Sequence, residues 1–288
     1  MNVFIQSLIS GILIGGVYAL IGIGLTIIFG VMRVINFAHG DLMMLGMYAT
    51  YFLFTLLHID PFVSIVITIP LMFLYGAFLQ KVFIERALSA LPQNQILLTI
   101  GMGLVMSNGV MLAFTSDYKI LSTTYSSSSV SVLGISISEP LVVSFIITVA
   151  ITAALYWFLY RTDTGQAIRA TAQDRDAAQL MGINVKRMSL IAFGMGTSLA
   201  ATAGALIAPT YYIFPQVGSV FTLKAFVITV LGGMGSIVGA TLGGVLIGVA
   251  ESVGGAYLGS GWKDVIVFVL FLLVLLFRPA GLLGTSKD

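Results

Sequence analysis

Long apolar stretches recur along the whole chain, separated by short polar connections. A stretch of about 20 apolar residues is long enough for an α-helix to cross the hydrocarbon core of a bilayer, which is roughly 30 Å thick. The stretches are continuous rather than alternating, which favours helices over the strands of a membrane barrel. The pattern predicts eight segments, at residues 8–30, 42–57, 62–80, 96–114, 141–160, 189–208, 223–250 and 265–277.

The composition also indicates a membrane-spanning protein. Of the 288 residues, 58% are hydrophobic and 8% are charged, and the mean hydropathy is +1.07. A soluble globule of this composition would expose large apolar patches, so that class is excluded. We therefore expect an all-α, polytopic transmembrane helix bundle that forms one domain over residues 1–288. The first segment is long and no basic region precedes it, which predicts a retained span rather than a cleaved signal peptide.

The positions of Lys and Arg predict which connections face the cytoplasm, because short basic loops stay inside. Placing the basic loop at residues 161–188 inside puts three further basic residues inside, namely Arg33, Lys81 and Arg86. The lysines left outside are Lys119, Lys224 and Lys263. The N-terminus is then outside, and residues 115–140 form an extracytoplasmic loop.

The glycine-rich segment 223–250 requires a separate interpretation. Eight full crossings would place the C-terminal Arg278 and Lys287 outside, against the charge rule. The conflict disappears if this segment enters from outside, breaks at Gly232-Gly233-Met234-Gly235 and returns without crossing. Irregular backbone is tolerated at membrane depth where protein buries it or where it lines a cavity. We therefore expect this segment to be re-entrant and the C-terminus to be inside.

The extracytoplasmic loop contains the sequence YSSSSVSVLGISIS, a serine run followed by polar and apolar alternation. Alternation of this kind is typical of a short strand hairpin. A solvated linker is an equally good interpretation of the same residues.

The longest polar segment, residues 161–187, reads RTDTGQAIRATAQDRDAAQLMGINVKR. Asp163 or Thr164 can cap a helix, and Gly182 followed by Ile183 predicts a left-handed stop, so a helix of about four turns is expected between them. Its spacing places five residues on one stripe, namely Ile168, Thr171, Ala172, Ala178 and Met181. Small side chains with mixed charges suit a lipid surface poorly. Insertion into a groove of a partner protein fits better.

Glycine is concentrated inside the apolar segments, with 32 residues in the chain. Pairs such as Gly11 and Gly15 have the spacing that lets membrane helices pack backbone to backbone, as do Gly235, Gly239 and Gly243. A bundle with breaks near residues 36–41 and 232–236 is also similar to transporters in which paired interruptions mark the pathway. Packing and pathway roles both remain open for these glycines.

Ionisable residues at membrane depth are functional candidates, because burying a charge is costly. The candidates for a translocation path or gate are Asn36, His39, Gly40, Asp41, Gly232, Gly233, Gly235, Ser236 and Glu251. In a simpler interpretation, His39 and Asp41 pair with each other or with Arg33 and only cap helices. A helix beginning near Ser236 could also present its amides to an anionic group such as a carboxylate.

Four motifs resemble one known family. The sequence DAAQLMG at residues 176–182 is similar to the cytoplasmic signature of bacterial ABC importer permeases, Glu-Ala-Ala, three residues, Gly, although Asp replaces Glu and no Leu-Pro follows. YALIGIGLTIIFGVMRVINFAHGDLMMLGMY at 18–48, VLGGMGSIVGATLGG at 230–244 and FRPAGLLG at 277–284 resemble the branched-chain amino acid branch of these permeases. The likeness extends over nearly the whole chain.

The resemblance implies a heteromeric importer in a bacterial inner membrane. Its expected partners are a second homologous permease, two cytoplasmic ABC ATPases and an extracytoplasmic substrate-binding protein, with no nucleic acid. The polar loop would be the coupling helix that enters a cleft of an ATPase, through Ile168, Thr171, Ala172, Asp176, Ala177, Ala178, Met181 and Gly182. No Gly-xxxx-Gly-Lys-Ser/Thr motif occurs in the chain, so ATP hydrolysis is expected on the separate ATPases. No catalytic residue, cofactor or metal is expected.

Other classes explain the chain less well. An ion-coupled secondary transporter would also have broken helices, but it would more often carry buried acidic residues within its spans. An intramembrane enzyme needs a nucleophile with a base, yet Cys is absent, only two His occur, and neither an HExxH nor a GxSxG motif is found. Composition does not exclude a gated channel. Within the permease class, branched-chain amino acids are the first expected substrates, and amides or urea are the alternative.

Overall fold

The computed structural model describes residues 2–88, 90–126, 128–132, 135–278 and 280–284, and nearly all of its regular structure is helical. The helices are α1 (Asn2–Met32), α2 (His39–Leu57), α3 (Ile65–Leu79), α4 (Glu85–Ala87), α5 (Pro92–Phe114), α6 (Glu139–Arg161), α7 (Asp163–Gln173), α8 (Arg175–Leu180), α9 (Val185–Ile207), α10 (Val217–Gly232), α11 (Ile237–Leu258) and α12 (Lys263–Phe277). A π-helical turn, Gln80–Ile84, joins α3 to α4, and a 3₁₀ turn, Ser260–Trp262, precedes α12. Strands β1 (Ser129–Val132) and β2 (Ile135–Ser138) form an antiparallel hairpin.

The predicted all-α polytopic bundle of about eight hydrophobic segments is confirmed. Eight described helical segments are long and apolar enough to cross a membrane, and they coincide with the predicted stretches, except that 223–250 divides between α10 and α11. Of this pair, α11 has 22 residues and reaches spanning length, whereas α10 has only 16. The protein is therefore a multi-pass membrane protein.

Helix α1 lies at the centre of the bundle and packs antiparallel along α11. A Cβ added to Gly11 or Gly15 would lie 2.6–2.7 Å from the Cα atoms of Val249 and Val245. A Cβ on Gly248 of α11 would in turn collide with the backbone of α1. Such close approach requires glycine, because any side chain would force the backbones apart. The predicted packing role is thus confirmed for Gly11 and Gly15.

The bundle has two distinct ends. We call the end that carries α7 and α8 the loop end, and the end that carries β1 and β2 the hairpin end. The start of α1 lies at the hairpin end, where the Gln6 side-chain amide donates to the Ser136 carbonyl oxygen at 3.0 Å. Of the two interpretations of YSSSSVSVLGISIS, the structure shows the strand hairpin, and Ser129 pairs with Ser138 in its register.

The break in the glycine-rich segment lies at the loop end. Gly235 is next to Gly30, close to the last residues of α1, and α11 then runs back along α1 towards the hairpin end. The turn was expected at membrane depth, but it lies at an end of the bundle. Helix α11 is long enough to cross a membrane on its return from this turn. The reason is that α10 begins inside the bundle, beside Asp41, and so reaches the loop end with only 16 residues.

The segment after α12 returns to the end of α10. Leu282 and Leu283 donate their amides to the carbonyl oxygens of Leu231 and Gly232 at 2.8 and 3.1 Å. The last carbonyls of a helix have no partner within the helix, so this strap satisfies them. The motifs FRPAGLLG and VLGGMGSIVGATLGG, which are distant in sequence, are thus in direct contact.

Candidate coupling and translocation sites

The polar loop at the loop end folds into two short helices rather than the single helix predicted. Thr162 caps α7 by accepting from the Gly165 amide at 3.0 Å, so neither Asp163 nor Thr164 is the cap. The chain breaks at Asp174, whose carboxylate accepts from the amides of Asp176 and Ala177, both at 3.0 Å, and so caps α8. An Asp that bonds to the backbone competes with a continuous helix, which explains the break.

The predicted stop at Gly182 is confirmed. Gly182 has a φ of +84°, and the Ile183 amide donates to the Ala178 carbonyl oxygen at 3.0 Å. This is the Schellman arrangement, in which a glycine in the left-handed region ends a helix. Helix α9 then begins at Val185. Its cap is Asn184, whose side-chain oxygen accepts from the Arg187 amide at 3.0 Å.

The five residues of the predicted stripe do not lie on one exposed face of the loop. Ile168, Thr171 and Ala178 are buried against the rest of the chain, and Ala172 is half-buried. These residues hold the loop on the bundle, assisted by the Arg169 guanidinium 4.0 Å from the ring centroid of Tyr160. In this structure they are not available to a partner, which corrects the prediction for the buried three.

The outward face of α8 exposes apolar residues instead. Leu180 is 88% exposed and Met181 is 82% exposed, next to exposed Asp176, Ala177 and Gly182. Leu180 is not among the five residues of the predicted stripe, because one continuous helix assigns it to another face. Large apolar side chains that protrude from a polar loop are typical of anchors for a protein groove.

An open depression of about 1170 Å³ lies beneath this loop. Its walls include residues from all four family-like motifs, among them Gly30, Ala177, Gly235 and Leu283. Gly232, Gly233, Gly235 and Ser236 therefore belong to the loop end. Ser236 caps α11 by accepting from the Gly239 amide at 3.0 Å, so this helix start already has a partner.

The other predicted break, near residues 36–41, overlaps the junction at residues 33–38, which leads the chain into the bundle. Helix α2 starts at His39, whose ring is buried and whose Nε2 donates to the Ile21 carbonyl oxygen at 3.0 Å. A Cβ on Gly40 would collide with the backbone of Gly218 and Thr222 in α10. The first turns of α2 and α10 are thus in contact, and both helices begin inside the bundle.

Several polar groups at this contact lack partners among the described residues. They are the Asn36 Nδ2 and the His39 Nδ1, both on buried residues. Asp41 lies between Gly103 of α5 and Gly218 of α10, and a Cβ on either glycine would lie 2.5–2.6 Å from its carboxylate oxygens. His39 bonds to α1 and does not merely pair with Asp41, so the simple capping interpretation fails for it.

The two predicted breaks are not brought together. The group around Asn36, His39, Gly40 and Asp41 surrounds the start of α2, whereas Gly232–Ser236 lies at the loop end. That both groups border one pathway stays a prediction. Sequence spacing alone could not reveal their separation, because it depends on where α10 begins.

Glu251 belongs to a third group of polar residues. Its main partner is Lys224, which the charge rule placed outside the membrane. Lys224 lies in α10, is only 5% exposed, and donates to both carboxylate oxygens of Glu251 at 2.9 Å and to the Tyr18 hydroxyl at 3.3 Å. Asp264 at the start of α12 lies 4.0 Å from the same Nζ. A lysine immediately inside an apolar stretch is itself a signal of a buried partner.

Tyr211, in the loop before α10, lies close enough to this group for its charges to affect the pKa of the Tyr211 hydroxyl. Burial and then the negative charges of Glu251 and Asp264 raise the pKa of the Tyr211 hydroxyl. Two carboxylates around one ammonium leave an excess of negative charge.

Comparison with known proteins then identifies the family. The profile of the family described as branched-chain amino acid transport system, permease component, matches residues 7–275. The chain belongs to this family.

Relatives in this family match over almost the whole chain. It is 36% identical to the high-affinity branched-chain amino acid transport system permease protein BraD of Pseudomonas aeruginosa, over 99% of this chain and 97% of the relative. It is 34% identical to the LivH permease of Escherichia coli, over 99% and 96%. No solved structure gives a significant match. The permease is thus a subunit of a transport system by membership of its family.

Proposed function

We propose that this permease is the membrane-spanning subunit of an ATP-driven ABC importer for branched-chain amino acids. Its relatives BraD and LivH are named as permeases for these substrates and match at 34–36% identity over 99% of the chain. The complex would also contain a second homologous permease, two cytoplasmic ATPases and an extracytoplasmic binding protein. The loop end would face the cytoplasm in a bacterial cytoplasmic membrane.

The observation that carries the mechanism is the exposed face of α8. Leu180 and Met181 protrude from a loop that is otherwise anchored by buried Ile168, Thr171 and Ala178. A loop that is rigidly attached on one side and apolar on the other can transmit force from a partner to the bundle. An ATPase cleft that receives this face would push on the start of α9, which follows α8 in the chain, and on the residues that line the depression beneath the loop.

The solute would pass near the contact of α2 and α10. Both helices begin inside the bundle, and the Asn36 Nδ2 and His39 Nδ1 are buried without partners among the described residues. Helix starts at membrane depth, with unpaired polar groups beside them, are a recurring feature of transporter pathways. A movement of α10 against α2 would widen or close this contact.

The test is uptake by the reconstituted complex. The permease, its co-purifying permease and both ATPases are placed in proteoliposomes, and labelled leucine uptake is measured with the binding protein and ATP. Uptake that requires hydrolysable ATP and persists when ion gradients are dissipated supports the proposal. Uptake that follows an ion gradient without ATP would identify a secondary transporter. Transport of urea or an amide in place of leucine would reassign the substrate.

A further inference from the structure

The buried group around Lys224 lies near the hairpin end, apart from the coupling loop. Its members come from four helices, with Tyr18 on α1, Lys224 on α10, Glu251 on α11 and Asp264 on α12. The Lys224 side chain is 6% exposed and that of Glu251 is 12% exposed, whereas Asp264 is 67% exposed. The group therefore connects a buried ion pair to an accessible carboxylate.

The charges of this group are unbalanced. Lys224 carries one positive charge, and Glu251 and Asp264 carry two negative charges. Glu251 takes two of the lysine donors at 2.9 Å, but Asp264 at 4.0 Å is beyond hydrogen-bonding distance. An accessible carboxylate that has no close partner among the described residues, next to a low-dielectric interior, favours the binding of a cationic group.

A small cavity opens beside these charges. It lies between α10 and α12, has a volume of about 110 Å³, and also borders Lys224 and Asp264. Its remaining walls are apolar, namely Val220, Leu223, Val227, Val267 and Phe268. The volume corresponds to roughly four water molecules in the liquid, which suits a branched aliphatic side chain of three or four carbons.

We propose that this cavity and its charged rim form a binding station for the zwitterion of an α-amino acid with a branched aliphatic side chain. Asp264 accepts hydrogen bonds from the α-ammonium group. Lys224 donates to the α-carboxylate, and the Tyr18 hydroxyl yields its place on the lysine, because a hydroxyl both donates and accepts. The side chain fills the cavity between α10 and α12. This inference rests on the proposed function and names the residues that would recognise its substrate.

The position of the station fits a step before passage through the bundle. Asp264 is in the first turn of α12 and Glu251 is near the end of α11, both towards the hairpin end. Lys224 is one turn along α10 from Phe221, which contacts Tyr18 and Tyr211 in edge-to-face geometry. A ligand held on α10 would therefore sit on the helix whose first turn packs against α2.

A purely structural ion pair is the competing explanation, and direct binding separates the two. Labelled leucine is titrated onto the purified permease–ATPase complex without its binding protein, at concentrations up to the millimolar range. Asp264→Asn should weaken leucine binding by about tenfold or more, since a charge-assisted hydrogen bond is lost. The matched control is Asp117→Asn, an exposed carboxylate at the same end outside the group, which should bind leucine normally.

Analogues test the role of each charge. The wild-type complex should prefer leucine to 4-methylpentanoate, which lacks the ammonium group, and to leucinamide, which lacks the carboxylate. Asp264→Asn should reduce only the preference for leucine over 4-methylpentanoate. The double variant Lys224→Gln with Glu251→Gln removes both buried charges together and should reduce only the preference for leucine over leucinamide. A structural ion pair would lower the melting temperature of the complex without changing either preference.

Three results would overturn the proposal. They are normal leucine binding by Asp264→Asn, unchanged preferences in both variants, and the absence of leucine binding to the wild-type complex at millimolar concentration. None of these contradicts the importer function as long as the wild-type complex takes up leucine with ATP. Loss of uptake by the wild-type complex would instead contradict the importer function itself.

Discussion

The junction between α1 and α2 and the junction between α10 and α11 look alike in sequence but lie in different surroundings. Residues 33–38 lead the chain into the bundle, so that His39 and Gly40 are buried against α1 and α10. Residues 233–236 form a turn at the loop end, beside the polar loop of α7 and α8 and the strap of residues 280–284. A glycine-broken helix in a membrane protein is therefore not by itself a pathway element, because the same pattern serves a turn at the end of the bundle.

The difference is sharpest at Gly40. A Cβ there would collide with the Gly218 oxygen and the Thr222 amide nitrogen, so Gly40→Leu should push α2 and α10 apart. We expect a loss of stability of about 3 kcal/mol or more, with loss of assembly and uptake together. Thermal unfolding of the purified complex measures the loss of stability, and leucine uptake measures the loss of transport.

Gly109→Leu is the matched control, because a Cβ at Gly109 in α5 has no atom within 4 Å. Its effect on stability should stay within about 0.5 kcal/mol. If Gly40→Leu assembled with normal stability but transported nothing, Gly40 would border an open path and would not be a packing glycine.

The loop end should respond differently, because its exposed residues contribute little to the fold and, in the proposed complex, contact a partner. Replacing Leu180 and Met181 together by Ser should leave thermal stability unchanged, since both side chains are more than 80% exposed. Uptake and co-purification of the ATPases should fall by at least about tenfold, as expected for anchors at a protein interface. Gln179→Ser, an exposed polar change on the same helix, is the control. Normal ATPase binding by the double variant would remove α8 from the coupling contact.

A smaller effect is expected at the cap between the two loop helices. Asp174→Ala removes the acceptor for the amides of Asp176 and Ala177, which should cost about 1 kcal/mol of local stability. Faster hydrogen exchange at the amides of Ala178 and Ile183 would report it, together with a few-fold loss of uptake. Asp174→Asn can still cap and should exchange at nearly the wild-type rate. Equal exchange in both variants and the wild type would show that the cap does not order α8.

The smallest effect is expected at the ion pair between Lys186 and Glu85. Their charged atoms are 3.1 Å apart, but the lysine side chain is 79% exposed. Exposed pairs contribute little because water screens them and both side chains must be ordered. Glu85→Gln should change thermal stability by less than about 0.5 kcal/mol and leave uptake unchanged. A large loss of uptake would indicate that the start of α9 and the start of α4 must stay connected during transport.

The sequence was sufficient for the features that depend on local pattern. Eight spans follow from the length of the apolar stretches, the hairpin from alternation, and the stop at Gly182 from a glycine after a periodic segment. The break at Asp174 was missed because helical periodicity continues through it, and only the side-chain bonds to the backbone reveal the cap.

Features that depend on tertiary placement were beyond the sequence. Lys224 was assigned outside the membrane because the charge rule counts residues and cannot detect the Glu251 carboxylate that compensates a buried lysine. The two breaks were paired because both contain glycine, yet their separation is set by the point at which α10 begins beside α2. Burial of Ile168, Thr171 and Ala178 likewise depends on the bundle surface beneath the loop.

Site-specific cross-linking tests the central difference between the two ends most directly. The native chain contains no cysteine, so Met181→Cys at the loop end and Ser126→Cys near the hairpin end each introduce one thiol. With a short thiol-to-amine reagent on the assembled complex, Met181→Cys should cross-link to an ATPase subunit and Ser126→Cys should not. A cross-link from Ser126→Cys, or none from Met181→Cys while the ATPases remain bound, would contradict the assignment of the loop end to coupling.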